Sequence, residues 1–183
     1  MTIVTSCPAL LKKSDPHKAR RLEALVRSML ARAVPLEAIG LQFHVSVWHS
    51  GRGLAGSLLF NHCEEGVRIV MRVLTDLGLE VHVTELDVDC NFPQLPCVRL
   101  LPNVLKWELQ ATVFASVVRV CLEFAKCIVL STWGFTDKLS WRAGPGTPGS
   151  EDLDQHAHQF DREYAPKPAA FAYSQALQVG QPA

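Results

Sequence analysis

The sequence predicts an α/β fold built from parallel β/α units, and three observations carry that prediction. Segments with helical apolar spacing alternate with short apolar strands in the order α-β-α-β-α-β. The strands are apolar through most of their length, as strands covered by helices are. Polar and aromatic side chains gather at the same, C-terminal, end of each strand, where the βα loops of parallel folds open. With 183 residues, 48% of them hydrophobic, the chain can build one sizeable core, yet it is shorter than an α/β barrel of roughly 250 residues.

Asp15-Pro16 reads as an N-cap and first helical residue. Ala19, Leu22, Leu25, Val26, Met29, Leu30 and Ala33 then recur at steps of three and four until Pro35 breaks the pattern. "AIGLQFHVSV" follows as a strand. After the glycine-rich loop 51–56, Asn61 with Glu64 three residues on suggests a capped start for a helix carrying Val67, Val70, Val73, Leu74 and Leu77, closed by Gly78. "LEVHVTELDV" is the second strand, and a loop bearing Pro93, Pro96 and Pro102 leads to a third helix over Lys106–Ala125. "CIVLSTWGF" is the third strand. "AGPGTPGSED" reads as an exposed loop, and "AFAYSQALQ" as a terminal helix after a proline turn. No internal sequence repeat is visible.

Lys plus Arg and Asp plus Glu both number 18, and the pI is near 7.0. No basic run stands out, so nucleic acid and anionic membrane are not expected partners. The apolar segment 111–135 is interrupted by Arg119, Glu123 and Lys126, which argues against a transmembrane span. "MTIVTSCPALLKK" lacks the basic start and long apolar run of a signal peptide, so the chain as written reads as soluble and untargeted. Six cysteines, at 7, 63, 90, 97, 121 and 127, form no C-x-x-C unit, so no structural metal is expected. Cys121 and Cys127 flank a helix-to-strand turn and are either a disulfide pair or small buried hydrophobes.

"EVHVTELDVDC" raises the functional question, because it places two acids on a strand that otherwise reads as core. Strict alternation puts Val81, Val83, Glu85 and Asp87 on one face and His82, Thr84 and Leu86 on the other. Gly40, Gln42 and His44 share a face of the first strand, and the third strand ends in Trp133, with Asp137 and Trp141 close behind. Each piece has a bland reading as a cap, a structural histidine or a core tryptophan. Their coincidence at one end of the sheet marks a candidate site without naming its chemistry.

"PLEAIGLQFHVSV", "LGLEVHVTELDV", "STWGFTDKLSW" and "FDREYAPKPAAFA" resemble, in order, four signatures of the C-terminal half of glycoside hydrolase family 10, the retaining endo-1,4-β-xylanases. The resemblance runs over Lys18–Leu177. It implies a partial (β/α)8 TIM barrel covering about the last three β/α units, with residues 15–179 as the family segment, 1–14 unassigned and 180–183 a tail. It makes Glu85 the catalytic nucleophile, with His44 and Asp87 supporting it. Gln42, Trp133 and Trp141 become substrate-binding residues, the indoles stacking on a sugar face. Asp137 and Lys138 match the motif and are read as structural supports. Cys121 and Cys127 match a cysteine pair present in many members. The implied substrate is xylan or a xylo-oligosaccharide, with no cofactor, and secretion is the family's expectation. The family's acid/base glutamate sits in an Asn-Glu motif, and this chain has no Asn-Glu dipeptide. A partner supplying a missing N-terminal half-barrel, an inactive remnant with weak sugar binding, or another retaining glycosidase with a strand-end "TELD" are the readings left open.

Overall fold

A computed structural model of the chain describes residues 2–4, 18–47, 56–90, 102–143 and 156–179. In chain order the elements are β1 (Thr2–Val4), α1 (Lys18–Ala31), β2 (Ala38–Gln42), β3 (His44–Ser46), α2 (Gly56–Asp76), β4 (Glu80–Asp89), α3 (Asn103–Leu122), β5 (Cys127–Thr132), two 3-10 turns (Asp137–Leu139 and Trp141–Ala143) and α4 (Pro168–Val179). Every described strand pairing is parallel: β1 with β2, and β4 with β2, β3 and β5.

One face of the sheet is covered. Ile39, Leu41, Phe43, Val81 and Val83 are buried in a core with Leu22 and Val26 of α1, Met71 and Leu74 of α2, and Phe114 of α3. Alanines and valines let α3 and α4 approach closely, Ala115 and Val118 meeting Ala176. At the edge, Ile128 and Val129 of β5 are exposed, and among the described residues no strand pairs with the far side of β5 or of β1.

Several sequence expectations shift. The expected first strand is broken at Phe43 into β2 and β3, although Asp87 still donates its backbone N–H to Phe43 O at 3.1 Å. α1 ends at Ala31, and Ala33 lies beyond it at φ 55°, in the turn that redirects the chain. Leu25 is exposed. α2 begins at Gly56, so Asn61 lies inside the helix instead of capping it; 57–60 contains no proline or glycine to stop propagation. α3 starts three residues earlier than expected, directly after the extended Pro102, and ends at Leu122. Thr2–Val4, unassigned from sequence, pairs with Gly40–Gln42. Asp15, Pro16, Pro93, Pro96 and residues 144–152 of the Gly/Pro loop lie outside the described residues.

The most consequential departure is in β4. Leu41 pairs with Val83 but His44 with Asp87, so residues 84–86 of β4 answer only 42–43. On the other side Val83 pairs with Leu130 and Leu86 with Thr132, so 84–85 answer 131 alone. β4 therefore carries one extra residue at Thr84–Glu85 against both neighbours. Strict alternation fails there: the core positions run Val81, Val83, then Leu86 and Val88, and Glu85 and Asp87 leave the face that Val81 and Val83 occupy.

The segment after β5 is fastened from below. Asp137, fully buried, accepts from Lys167 Nζ at 2.9 Å and from the backbone N–H of His158 at 2.8 Å. Lys167 is itself 1% exposed and also donates to His156 O. Asp137 thus acts as the structural support expected from its motif. Burial alone would raise its carboxyl, but the contact with His156 and the charge and hydrogen bond of Lys167 outweigh it and hold the group below the usual carboxylate range. Removing one partner of such a pair strands the other charge. Lys167→Met is expected to destabilise the fold by about 3–5 kcal/mol, read as a lower urea midpoint at pH 7 with an unchanged denaturant slope.

Candidate functional site

The extra residue in β4 brings Glu85 to the sheet face where Gln42 and His44 already point. Gln42 Nε2 donates to Glu85 Oε1 at 2.6 Å, and His44 Nε2 lies 3.1 Å from Glu85 Oε2. The other ring nitrogen, His44 Nδ1, lies 2.9 Å from Asp87 Oδ2. Trp141 Nε1 donates to that same Asp87 oxygen at 2.7 Å. Four elements, β2, β3, β4 and the second 3-10 turn, therefore meet at two carboxylates, Gln42 and His44 at Glu85 and His44 and Trp141 at Asp87.

The two acids are not equivalent. Glu85 keeps 13% of its side chain exposed and Asp87 none, so a ligand can reach Glu85 while Asp87 sits behind His44. The His44 ring has Trp141 at 5.0 Å and Trp133 at 6.4 Å, both edge-on. Both indoles are about half exposed, leaving apolar ring surface beside the carboxylate. Trp133 is tied to β4 through its backbone N–H, which donates to Leu86 O at 3.1 Å. Gly134 follows at φ 101°, and a Cβ there would meet the buried His158 ring at 3.2 Å, so both conformation and space require glycine.

Sequence reasoning passed over three residues. Arg142 Nε forms an ion pair with Asp87 Oδ1 at 2.9 Å, and its Nη1 donates to Asp89 Oδ2. Asp89 was within reach of the period-two argument, because alternation resumes after the bulge and aligns 85, 87 and 89. Arg142 carried no signal beyond its place after Trp141. His158, 1% exposed under Gly134, is held below the ordinary histidine range by burial. Lys138 of the motif sits 5.0 Å above the Tyr164 ring, as a support. Cys121 and Cys127 form a disulfide. Among the described residues no cluster of His, Cys, Asp and Glu is arranged to hold a metal ion, and no helix is long and apolar enough to cross a membrane.

His44 lies between two carboxylates. Burial works to lower its pKa, but the hydrogen bond and charge of Asp87, with the bond to Glu85, overcome both burial and the opposing Arg142, and the net shift is upward from 6.5. A protonated ring donates from both nitrogens, whereas a neutral ring keeps one donor. The linkage sign follows: the stabilisation is fully present below the unfolded value and is lost as pH rises through the higher folded value. Urea stability is expected to decline across that window, and His44→Gln to flatten the decline.

The family model of glycosyl hydrolase family 10 matches residues 11–176. Endo-1,4-beta-xylanase 2 of Aureobasidium pullulans is 31% identical over 89% of this chain and 39% of its own length. Endo-1,4-beta-xylanase A of Caldicellulosiruptor saccharolyticus is 28% identical over 85% of this chain and 42% of its own. Among solved structures, native xylanase 10B from Thermotoga maritima superposes with TM-score 0.70 at 25% identity, over 97% of this chain and 46% of that one. A mutant xylanase 10C from Cellvibrio japonicus, in complex with xylopentaose, gives TM-score 0.76 at 24% identity over 98% of this chain and 34% of that one, a likeness of fold. The chain thus spans less than half the length of each of these relatives.

Proposed function

Because the chain belongs to glycosyl hydrolase family 10, we propose that it is the nucleophile-bearing part of a retaining endo-1,4-β-xylanase, a section of a (β/α)8 barrel covering about its last three β/α units. The observation that carries this reading is the cage around Glu85: Gln42 and His44 each address one carboxylate oxygen, and Asp87 holds His44 from behind. A carboxylate so held is fixed in place by its donors. Its oxygen attacks the anomeric carbon, a glycosyl ester forms as the glycosidic C–O bond breaks, and water later releases the sugar. Trp133 and Trp141 offer the reacting sugar their indole surfaces.

The departing oxygen needs a proton from a second carboxyl about 5–5.5 Å away. Asp87, Asp89 and Asp137 are bound to His44, Trp141, Arg142 or Lys167 and are poor donors for that purpose. The chain also lacks the family's Asn-Glu motif, so the acid/base group is assigned to the part of the barrel that this sequence does not cover, in line with a chain spanning 39% of a relative's length. That part is the proposed partner, with xylan or a xylo-oligosaccharide as substrate. Secretion belongs to the same reading, with the Cys121–Cys127 disulfide in keeping with an oxidising compartment.

An aryl β-xylobioside whose phenol is acidic enough to leave unprotonated tests the nucleophile without the acid. The chain is expected to release up to one equivalent of phenolate and then stall, while xylan yields no reducing sugar. Glu85→Ala should cut the release by on the order of 10³-fold; equal release from both proteins would sink the assignment. Turnover of the cellobioside in preference to the xylobioside would point to another retaining glycosidase. The short span relative to xylanases also favours a second reading, a catalytically silent sugar binder. No phenolate, with indole fluorescence that responds to xylopentaose and loses the response in Trp133→Ala, would select it.

A further inference from the structure

Asp87 and Asp89 are both buried, at 0% and 4% exposure, and lie two residues apart on the same side of β4. Two such carboxylates repel one another, and a cation between them offsets that repulsion. Arg142 answers both. Its Nε faces Asp87 Oδ1 at 2.9 Å, a charge contact outside hydrogen-bond alignment, while Nη1 donates to Asp89 Oδ2, and only 14% of its side chain is exposed. The guanidinium also lies 5.2 Å over the Trp141 ring, so one planar group braces both the carboxylate and the indole that bonds to it. That leaves Asp87 Oδ2 to His44 and Trp141, the two oxygens of Asp87 being divided between separate partners.

We propose that Arg142 is a positioning residue for the candidate nucleophile: by bridging Asp87 and Asp89 it fixes the carboxylate that orients His44 against Glu85. The functional consequence rests on the reading of Glu85 given above, but the arrangement itself needs no turnover to be seen. The charged and titratable groups facing Asp87 are His44 from β3, Arg142 from the second 3-10 turn and, more distantly, His158 from the segment before α4. A lysine would meet the two carboxylates as a point charge on a flexible stem, without the rigid planar fork that fixes both contacts together.

The two possible roles of Arg142 predict opposite signs. As a nearby positive charge and nothing more, its removal would raise the His44 midpoint by relieving repulsion. As the group that holds Asp87, its removal frees that carboxylate to turn away, and His44 loses its strongest favourable partner. The test is nitrogen-15 NMR of the imidazoles in the full chain, following the His44 midpoint and the exchange protection of its Nδ1 proton. Arg142→Met is expected to lower the midpoint by about one unit, tenfold in proton affinity, and to abolish the protected proton. Adding Asp89→Asn should restore part of both, since only one carboxylate then needs an answer. If Arg142→Met does not fold, Arg142→Lys serves, with an expected loss of protection of about tenfold. A midpoint that rises with the Nδ1 proton still protected, or a lysine variant with unchanged protection, overturns the proposal. Failure of the phenolate assay with this NMR signature intact would count against the reading of Glu85 alone.

Discussion

The site depends on one extra residue in β4. Val81 and Val83 face the helices, and a regular strand would have sent Glu85 after them into the core, where a carboxylate is costly to bury. The extra residue at Thr84–Glu85, felt against β2/β3 on one side and β5 on the other, reverses the alternation. Leu86 and Val88 then return to the core, and Glu85, Asp87 and Asp89 are delivered to the opposite face. Bulges recur beside functional sites because they re-aim a side chain without ending the strand. Here the core and the candidate site are satisfied by the same ten residues.

Once three acids are placed together, cations have to come from elsewhere in the chain. Arg142 answers Asp87 and Asp89, and Lys167 answers Asp137, the acid that the segment after β5 itself carries. Both cations follow the third strand in sequence, so the segment after β5 is where the acidic strand finds its balance. The same segment carries Trp133 and Trp141. Electrostatic compensation and the aromatic walls are therefore built from one stretch of chain, and neither can shift far without the other.

Much of this was legible in the sequence. Apolar spacing located α1, α2, α3, β4 and β5, and the placing of Gly40, Gln42 and His44 on one face agrees with Gln42 and His44 meeting Glu85. What was not legible has a physical cause in each case. Period-two reasoning assumes an unbroken ladder, and nothing in "VTEL" announces an inserted residue. Arg142 is recognisable only through its partners, which lie more than fifty positions away. Asn61 with Glu64 has the residues of a helix cap, but the helix had already begun at Gly56. Thr2–Val4 gives too short a pattern to read as a strand until Gly40–Gln42 offers it a neighbour.

The disulfide between Cys121 and Cys127 takes on a particular meaning beside the exposed side chains of β5. An interior strand is held on both flanks by backbone hydrogen bonds; among the described residues β5 is held on one, by β4, and at its first residue by a covalent bond to the last turn of α3. The fastening of that flank becomes a matter of redox environment as well as of folding: a host that keeps thiols reduced would remove the covalent tie and leave the backbone pairing with β4 to hold the strand.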